Sequence, residues 1–144
     1  MTQENKELLL RDLCSRLPYG VKCYKMTFKP ELAEEVICML RNGSHNCVQL
    51  GTFLYRLEHI KPYLFPLSSM TEKQYNSLHE LGILNNCSHS YEYVNPHIHG
   101  VSFIFKEFKT YSLELIEWLN KHHFDYHGLI EKGLAIDASG LNIY

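Results

Sequence analysis

The chain has 144 residues, of which 45% are hydrophobic and 21% charged, and its formal net charge at pH 7 is −2. This balance excludes intrinsic disorder, which goes with low hydrophobicity and high net charge, and it argues against the strongly basic surface of a typical nucleic-acid-binding domain. No apolar run approaches the roughly 20 residues of a membrane-spanning helix. We therefore expect one folded domain over residues 1–144, with no membrane association.

The cysteines and the first residues of the chain favour the cytoplasm. Five cysteines are an odd number without a CxxC pair, which argues against a disulfide framework and against a thiolate zinc cluster. The stretch from Met1 to Leu17 has Glu4, Glu7 and Asp12 among its leucines, so it lacks the charge-free core of a secretory signal. We expect reduced thiols, a cytoplasmic location and no cofactor.

A helix is predicted near the start of the chain. Apolar side chains recur from Leu10 to Leu17 at the spacing of one helical face, and Pro18 ends the run. We place this helix at residues 3–16. The period then changes, because KCYKMTFK alternates as a strand with one buried face does, and we expect Tyr24, Met26 and Phe28 to face the core.

A β-hairpin is predicted around Asn42-Gly43, because both central residues of a type I′ turn need positive φ. The alternative is a helix that starts at Pro30 and has Gly43 just after its C-cap. A fourth strand follows in TFLYRLE, and we expect Pro62 and Pro66 to end the ladder. Consecutive antiparallel strands curve strongly, so this sheet can close as a small SH3-like barrel.

Two further helices and one strand are predicted in the rest of the chain. Thr71 and Gln74 fit a capping box that opens a helix at residues 72–81, with Gly82 as its stop. Residues 83–99 are polar and turn-rich, so we expect a loop there. VSFIFKEF predicts a fifth strand, and Ser112 can cap a third helix that ends near His123.

Taken together, these elements predict an α+β fold. It has an N-terminal helix, a small curved antiparallel sheet over residues 20–60, and a C-terminal portion over residues 68–144 that combines helices with one further strand.

Four histidines are candidate metal ligands. His123 and His127 are spaced i, i+4, which on a continuous helix brings two imidazoles to one face, although Phe124 stands where a zinc protease has its glutamate base. His97 and His99 share one face if their segment is extended. Together they can serve a metallohydrolase; the alternative is that they cap the helix or lie in loops.

A catalytic thiol and a nucleic-acid surface are the other candidates. Cys38 and Cys47 fall on predicted strands, where a buried structural thiol is expected. Lysines between aromatic residues in KCYKMTFK can form a stacking surface for single-stranded nucleic acid, against the alternative of an ordinary strand with its lysines in water. The basic residues that such a binder would use are Arg11, Arg16, Lys22, Lys25 and Lys29.

Three blocks of the sequence carry a resemblance: LLLRDLCSRLPYGV, YRLEHIKPYLFPLSSMTE and LIEWLNKHHFDYHGLIEKGLAI. Together they resemble a family of short uncharacterised proteins from gut Bacteroidales and from their phages or prophages. The resemblance implies an origin on a mobile element, and it implies no activity, cofactor or catalytic residue. The family more often has arginine at the position of His127, which implies a structural or partner-facing turn.

The function expected from these observations is protein binding without catalysis. The chain has no glycine-elbow serine, P-loop or GxGxxG motif, so the usual signals for acyl transfer, phosphoryl transfer and dinucleotide chemistry are missing. We expect an unidentified protein partner and leave a homo-oligomer open. The alternatives are a nucleic-acid-binding accessory protein and the histidine-ligated metallohydrolase.

Overall fold

The fold is taken from a computed structural model, which describes residues 1–26, 34–39, 47–50, 53–94 and 102–144. It confirms the α+β class and places the N-terminal helix at its predicted bounds. In chain order the helices and strands are α1 (Gln3–Arg16), β1 (Lys22–Lys25), β2 (Glu34–Met39), β3 (Cys47–Leu50), β4 (Phe53–Arg56), β5 (Ile60–Pro66), α2 (Glu72–Glu80), β6 (His89–Val94), β7 (Ser102–Phe108), α3 (Leu113–Lys121), β8 (Phe124–Asp125) and β9 (Ile136–Asp137).

The chain divides into two compact units. The first unit joins Met1–Leu64 to His127–Tyr144, and the second is Phe65–Tyr126. Each unit has its own apolar core. The last residues of the chain therefore belong with the first unit, whereas the sequence pattern grouped them with residues 68–144; the single-domain expectation stays a prediction. Within the described ranges, no helix is long and apolar enough to cross a membrane.

The first unit is built on an antiparallel sheet in the order β4-β3-β2-β1-β5, with β9 parallel to β5. The predicted hairpin is confirmed as the antiparallel pairing of β2 and β3, while Asn42-Gly43 lies outside the described residues. Leu9 and Leu13 of α1 belong to the core of this unit. The strand order is open at β4, so no closed barrel is found in the part of the chain that the structure describes.

The prediction of which side of β1 faces the core is wrong. Cys23 and Lys25 are buried, whereas Tyr24 is only half-buried and Met26 is exposed. The cause is that a lysine has a long aliphatic stem, which can be buried while its ammonium group finds a polar or aromatic neighbour. Here the Lys25 Nζ lies 5.8 Å from the centre of the Tyr55 ring. Phe28 lies outside the described residues.

The two prolines that were expected to end the ladder lie inside β5. Pro62 is the last β5 residue that pairs with β1, and Pro66 is the last residue of the strand, where it pairs with β8. β9 pairs with the residues between them, Tyr63 and Leu64. Each proline thus stands at the end of a short ladder, where the loss of one N–H donor is tolerated.

The predicted capping box is present at the start of α2, in the second unit. Thr71 Oγ1 accepts a hydrogen bond from the Gln74 N–H, the Gln74 side chain accepts one from the Thr71 N–H, and α2 stops before Gly82, whose φ is 71°. Ser112 caps α3 as predicted. That helix ends at Lys121, two residues earlier than expected.

The sequence pattern missed two strands of the second unit, β6 and the two-residue β8. Residues 89–94, predicted as part of a loop, form β6 and pair antiparallel with β7, which confirms the fifth predicted strand. The polar composition of HSYEYV hid the strand, because all six side chains are half-buried or exposed. A strand of this kind takes its stability from cross-strand pairs rather than from a buried face.

Candidate functional site

The histidines of the predicted metal site do not share a helical face. α3 ends at Lys121, and His123 has a φ of 58°, so the chain leaves the helix before His127. His123 is buried in the second unit, and His127 belongs to the first. His97 and His99 lie outside the described residues. Among the residues with a described position, no group of three or more His, Cys, Asp or Glu side chains is arranged to hold a metal ion.

His127 instead joins a buried ion pair in the first unit. Its Nδ1 donates to Asp12 Oδ1 at 3.0 Å. The same carboxylate accepts two hydrogen bonds from Arg16, from Nε at 2.8 Å and from Nη2 at 2.9 Å. Asp12 and Arg16 are both fully buried, so water does not solvate their charges. Each charge is instead balanced by the other inside the protein.

The environment of Asp12 acts on its acidity in two opposite ways. Burial by itself would raise the pKa of Asp12, but the hydrogen bond from His127 and the charge and hydrogen bonds of Arg16 outweigh it and hold the pKa below its ordinary value. Asp12 therefore stays ionised and accepts all three bonds. This arrangement fastens the turn that carries His127 to α1.

The described cysteines do not provide an activated thiol. Cys23 is fully buried, and burial, together with the nearby charge of Asp12, raises the pKa of its thiol far above the ordinary value. Burial also raises the pKa of the exposed Cys14, and the Cys87 thiol donates to the Ile83 carbonyl. A nucleophilic cysteine requires a lowered pKa. The side chains of Cys38 and Cys47 lie outside the described part of the structure.

Two of the four described basic residues proposed for nucleic-acid binding are buried, so the set offers little charge to a ligand. Arg16 and Lys25 are buried, and the Lys22 Nζ donates to the Ile143 carbonyl. Arg11 is exposed and lines a surface hollow with Glu4, Glu7 and Lys132, so the two cations of this hollow are balanced by two carboxylates. Lys29 lies outside the described residues. The described members of this set therefore do not form a basic stripe along which a phosphate backbone could lie.

A different surface stands out in the second unit, where aromatic side chains of β6, β7 and α2 meet. We call the set of Tyr75, Tyr91, Tyr93 and Phe103 the tyrosine face. Tyr93 is paired with Phe103 across the two strands, and their ring centres are 5.7 Å apart. Tyr91 lies with its ring centre 5.0 Å from that of Tyr75 and 5.6 Å from that of Phe103. Tyr91 is 45% exposed and Tyr93 52% exposed, so about half of each residue meets solvent.

The tyrosine face is held from behind by a chain of hydrogen bonds. His89 Nδ1 lies 3.0 Å from the Cys87 carbonyl, which can only accept, so Nδ1 donates. In the neutral ring, Nε2 then accepts from the Tyr75 hydroxyl at 2.8 Å. Tyr75 is itself buried with Leu78 and Phe105 in the core of the unit. The exposed ring of Tyr91 thus packs against a Tyr75 side chain that is itself held in one position. A surface that is already ordered lowers the entropy cost of binding a partner.

A carboxylate lies at one end of the tyrosine face. The Tyr93 hydroxyl donates to Glu72 Oε1 at 2.8 Å, and this bond raises the pKa of Tyr93. Glu72 is in the first turn of α2, where the helix dipole favours a negative charge. On the opposite side of the hairpin, Glu92 pairs with Lys106 at 2.6 Å. The tyrosine face therefore carries a negative charge beside its exposed rings, and the other side has its charges matched.

The sequence does contain a signal for this surface. Tyr91 and Tyr93 are two residues apart, which places both on one side of a strand, and the apolar alternation of β7 begins about ten residues later. Joining both segments in one hairpin places the tyrosines beside Phe103. The polar composition of residues 83–99 obscured this pairing.

Comparisons with known proteins add no relative: no protein-family model, no curated protein and no solved structure matches this chain. A function must therefore be inferred from the tyrosine face and from the residues around it.

Proposed function

We propose that this protein is a non-enzymatic binding module, acting in the cytoplasm and of mobile-element or phage origin, which docks an extended segment of another protein on its tyrosine face. The observation that carries the proposal is the pair of half-exposed rings, Tyr91 and Tyr93, with Tyr91 held against a buried Tyr75. Tyrosine is enriched at the centre of protein interfaces, because it buries a large ring at a low entropy cost.

The hairpin also supports an extended partner. Among the described strands β6 pairs with β7 alone, so its other edge offers backbone donors and acceptors beside the exposed tyrosines. A peptide that adds to such an edge gains main-chain hydrogen bonds, while its alternate side chains meet the ring surface. The predicted SH3-like closure of residues 20–60 is not needed for this activity, because the tyrosine face belongs to the other unit.

The test uses the full chain as bait in a lysate of the native host. Its matched variants are a double variant, Tyr91→Ser with Tyr93→Ser, and a control, Phe53→Ser, which removes a 66% exposed ring from the first unit. We expect one partner to be captured by the wild type and by Phe53→Ser but not by the double variant. Binding is then repeated with the purified partner by calorimetry.

Two outcomes would overturn the proposal. One is a partner that binds the double variant as tightly as the wild type while circular dichroism shows both to be folded. The other is that light scattering finds the wild type to be a dimer and the double variant a monomer, because the tyrosine face would then serve a second copy of the chain.

A further inference from the structure

Resting on the proposed function, we infer that the segment docked on the tyrosine face is basic and lays an arginine or lysine side chain over Tyr93 with its cation close to Glu72. The first ground is the exposed ring itself. The face of an aromatic ring attracts a cation, and a tyrosine that is half-exposed has room for one.

The second ground is the position of the carboxylate. Glu72 is bonded to the Tyr93 hydroxyl, so a guanidinium that covers this ring comes within reach of the carboxylate as well. Glu72 is exposed and keeps one oxygen that is not used in that bond. A planar guanidinium suits such a site better than an ammonium group, because it stacks on a ring while its edge donates to a carboxylate.

The third ground is the surrounding charge. Between residues 65 and 126 the acidic residues outnumber lysine and arginine. Lys106, a cation of the same hairpin, is paired with Glu92 on the side away from the tyrosines. A basic segment is therefore attracted to this unit as a whole, whereas the phosphates of a single-stranded nucleic acid would be repelled by Glu72 even though its bases could stack on the rings.

The experiment is an NMR titration of the full chain with defined probes. The probes are peptides of about ten residues in which serine alternates with arginine, lysine, glutamate or leucine, and an oligothymidine of about the same length. The protein variants are Tyr93→Leu, which keeps the apolar bulk but not the ring, Tyr93→Phe, which keeps the ring, Glu72→Gln, and Phe53→Leu as the control.

We expect the arginine peptide to bind most tightly and to shift the amide signals of Tyr91 and Tyr93. Tyr93→Leu should weaken it by about 2- to 30-fold, the range that corresponds to a cation over an aromatic ring. Glu72→Gln should weaken it by up to about 5-fold, less at high salt, as for an exposed ion pair. Tyr93→Phe should bind better than Tyr93→Leu, and Phe53→Leu should bind as the wild type does.

Each contrary result has a distinct meaning. If the leucine or glutamate peptide binds as well as the arginine peptide and still depends on Tyr93, the basic partner is wrong and the docking face stands. If the arginine peptide is insensitive to Tyr93→Leu, or if no peptide binds, the inference fails, and the proposed function is judged by capture of its partner alone. Oligothymidine that binds through Tyr93 would overturn both.

Discussion

Replacing Asp12 by asparagine should strongly destabilise the first unit. The substitution keeps the size of the side chain but removes the charge that compensates the fully buried Arg16, and it weakens the hydrogen bond from His127. Breaking a buried ion pair by removing one partner costs about 3–5 kcal/mol, because the other charge remains without compensation in the interior. Natural domains have only about 5–15 kcal/mol of net stability, so this loss is a large part of the total.

The assay is urea unfolding followed by far-ultraviolet circular dichroism. With a slope of about 2 kcal/mol per molar urea, the expected loss lowers the midpoint by about 1.5–2.5 M. Glu4→Gln is the matched control, since it removes a carboxylate from the same helix at an exposed position and should change stability by less than about 0.5 kcal/mol.

A second variant tests the same charge compensation if the first one fails to fold. Replacing Asp12 by leucine and Arg16 by methionine together removes both charges and retains apolar volume, so the double variant should be far more stable than Asp12→Asn. A loss below about 1 kcal/mol for Asp12→Asn, or a double variant less stable than the single one, would refute the view that charge compensation holds this part of the fold.

Three further predictions concern stability. The pKa of Asp12 is lower in the folded protein than its ordinary value of 3.8. The contribution of Asp12 to the free energy of unfolding is therefore fully present above about pH 4 and is lost as the pH falls through the lowered pKa. Acid titration should accordingly destabilise the wild type more steeply than Asp12→Asn. Tyr144→Phe should cost about 1–2 kcal/mol in urea, because the hydroxyl accepts from the Lys22 N–H and donates to the Tyr63 carbonyl; an unchanged midpoint would contradict these contacts. Thr71→Ala should cost about 1 kcal/mol and lower the thermal midpoint, while Thr71→Ser should retain most of the stability through the same cap.

The helix starts could be predicted from sequence because their causes are local. A hydroxyl that caps the N–H three residues later acts within one turn, and Thr71 and Ser112 both do so as expected. The end of α3 was harder to predict from the sequence. His122 and His123 are compatible with a helix, and the turn at His123 depends on the pairing of the next two residues, Phe124 and Asp125, with the end of β5.

The errors come from interactions between distant parts of the chain. The buried face of β1 was assigned by hydrophobicity, but a lysine stem can be buried when an aromatic ring such as Tyr55 lies near its ammonium group. β6 has no buried face to detect, so its existence depends on its partner strand. The contact between Asp12 and His127 joins residues 115 positions apart, and no spacing rule reaches that far.

The division of the chain also has a consequence for the order in which the molecule is made. The second unit is one uninterrupted stretch of sequence, whereas the first needs residues 127–144 to supply β9 and His127. A ribosome synthesises α1 before residues 127–144, so the bond from His127 to Asp12 and the pairing of β9 with β5 can form only after the second unit has been made. The part made first is therefore completed last.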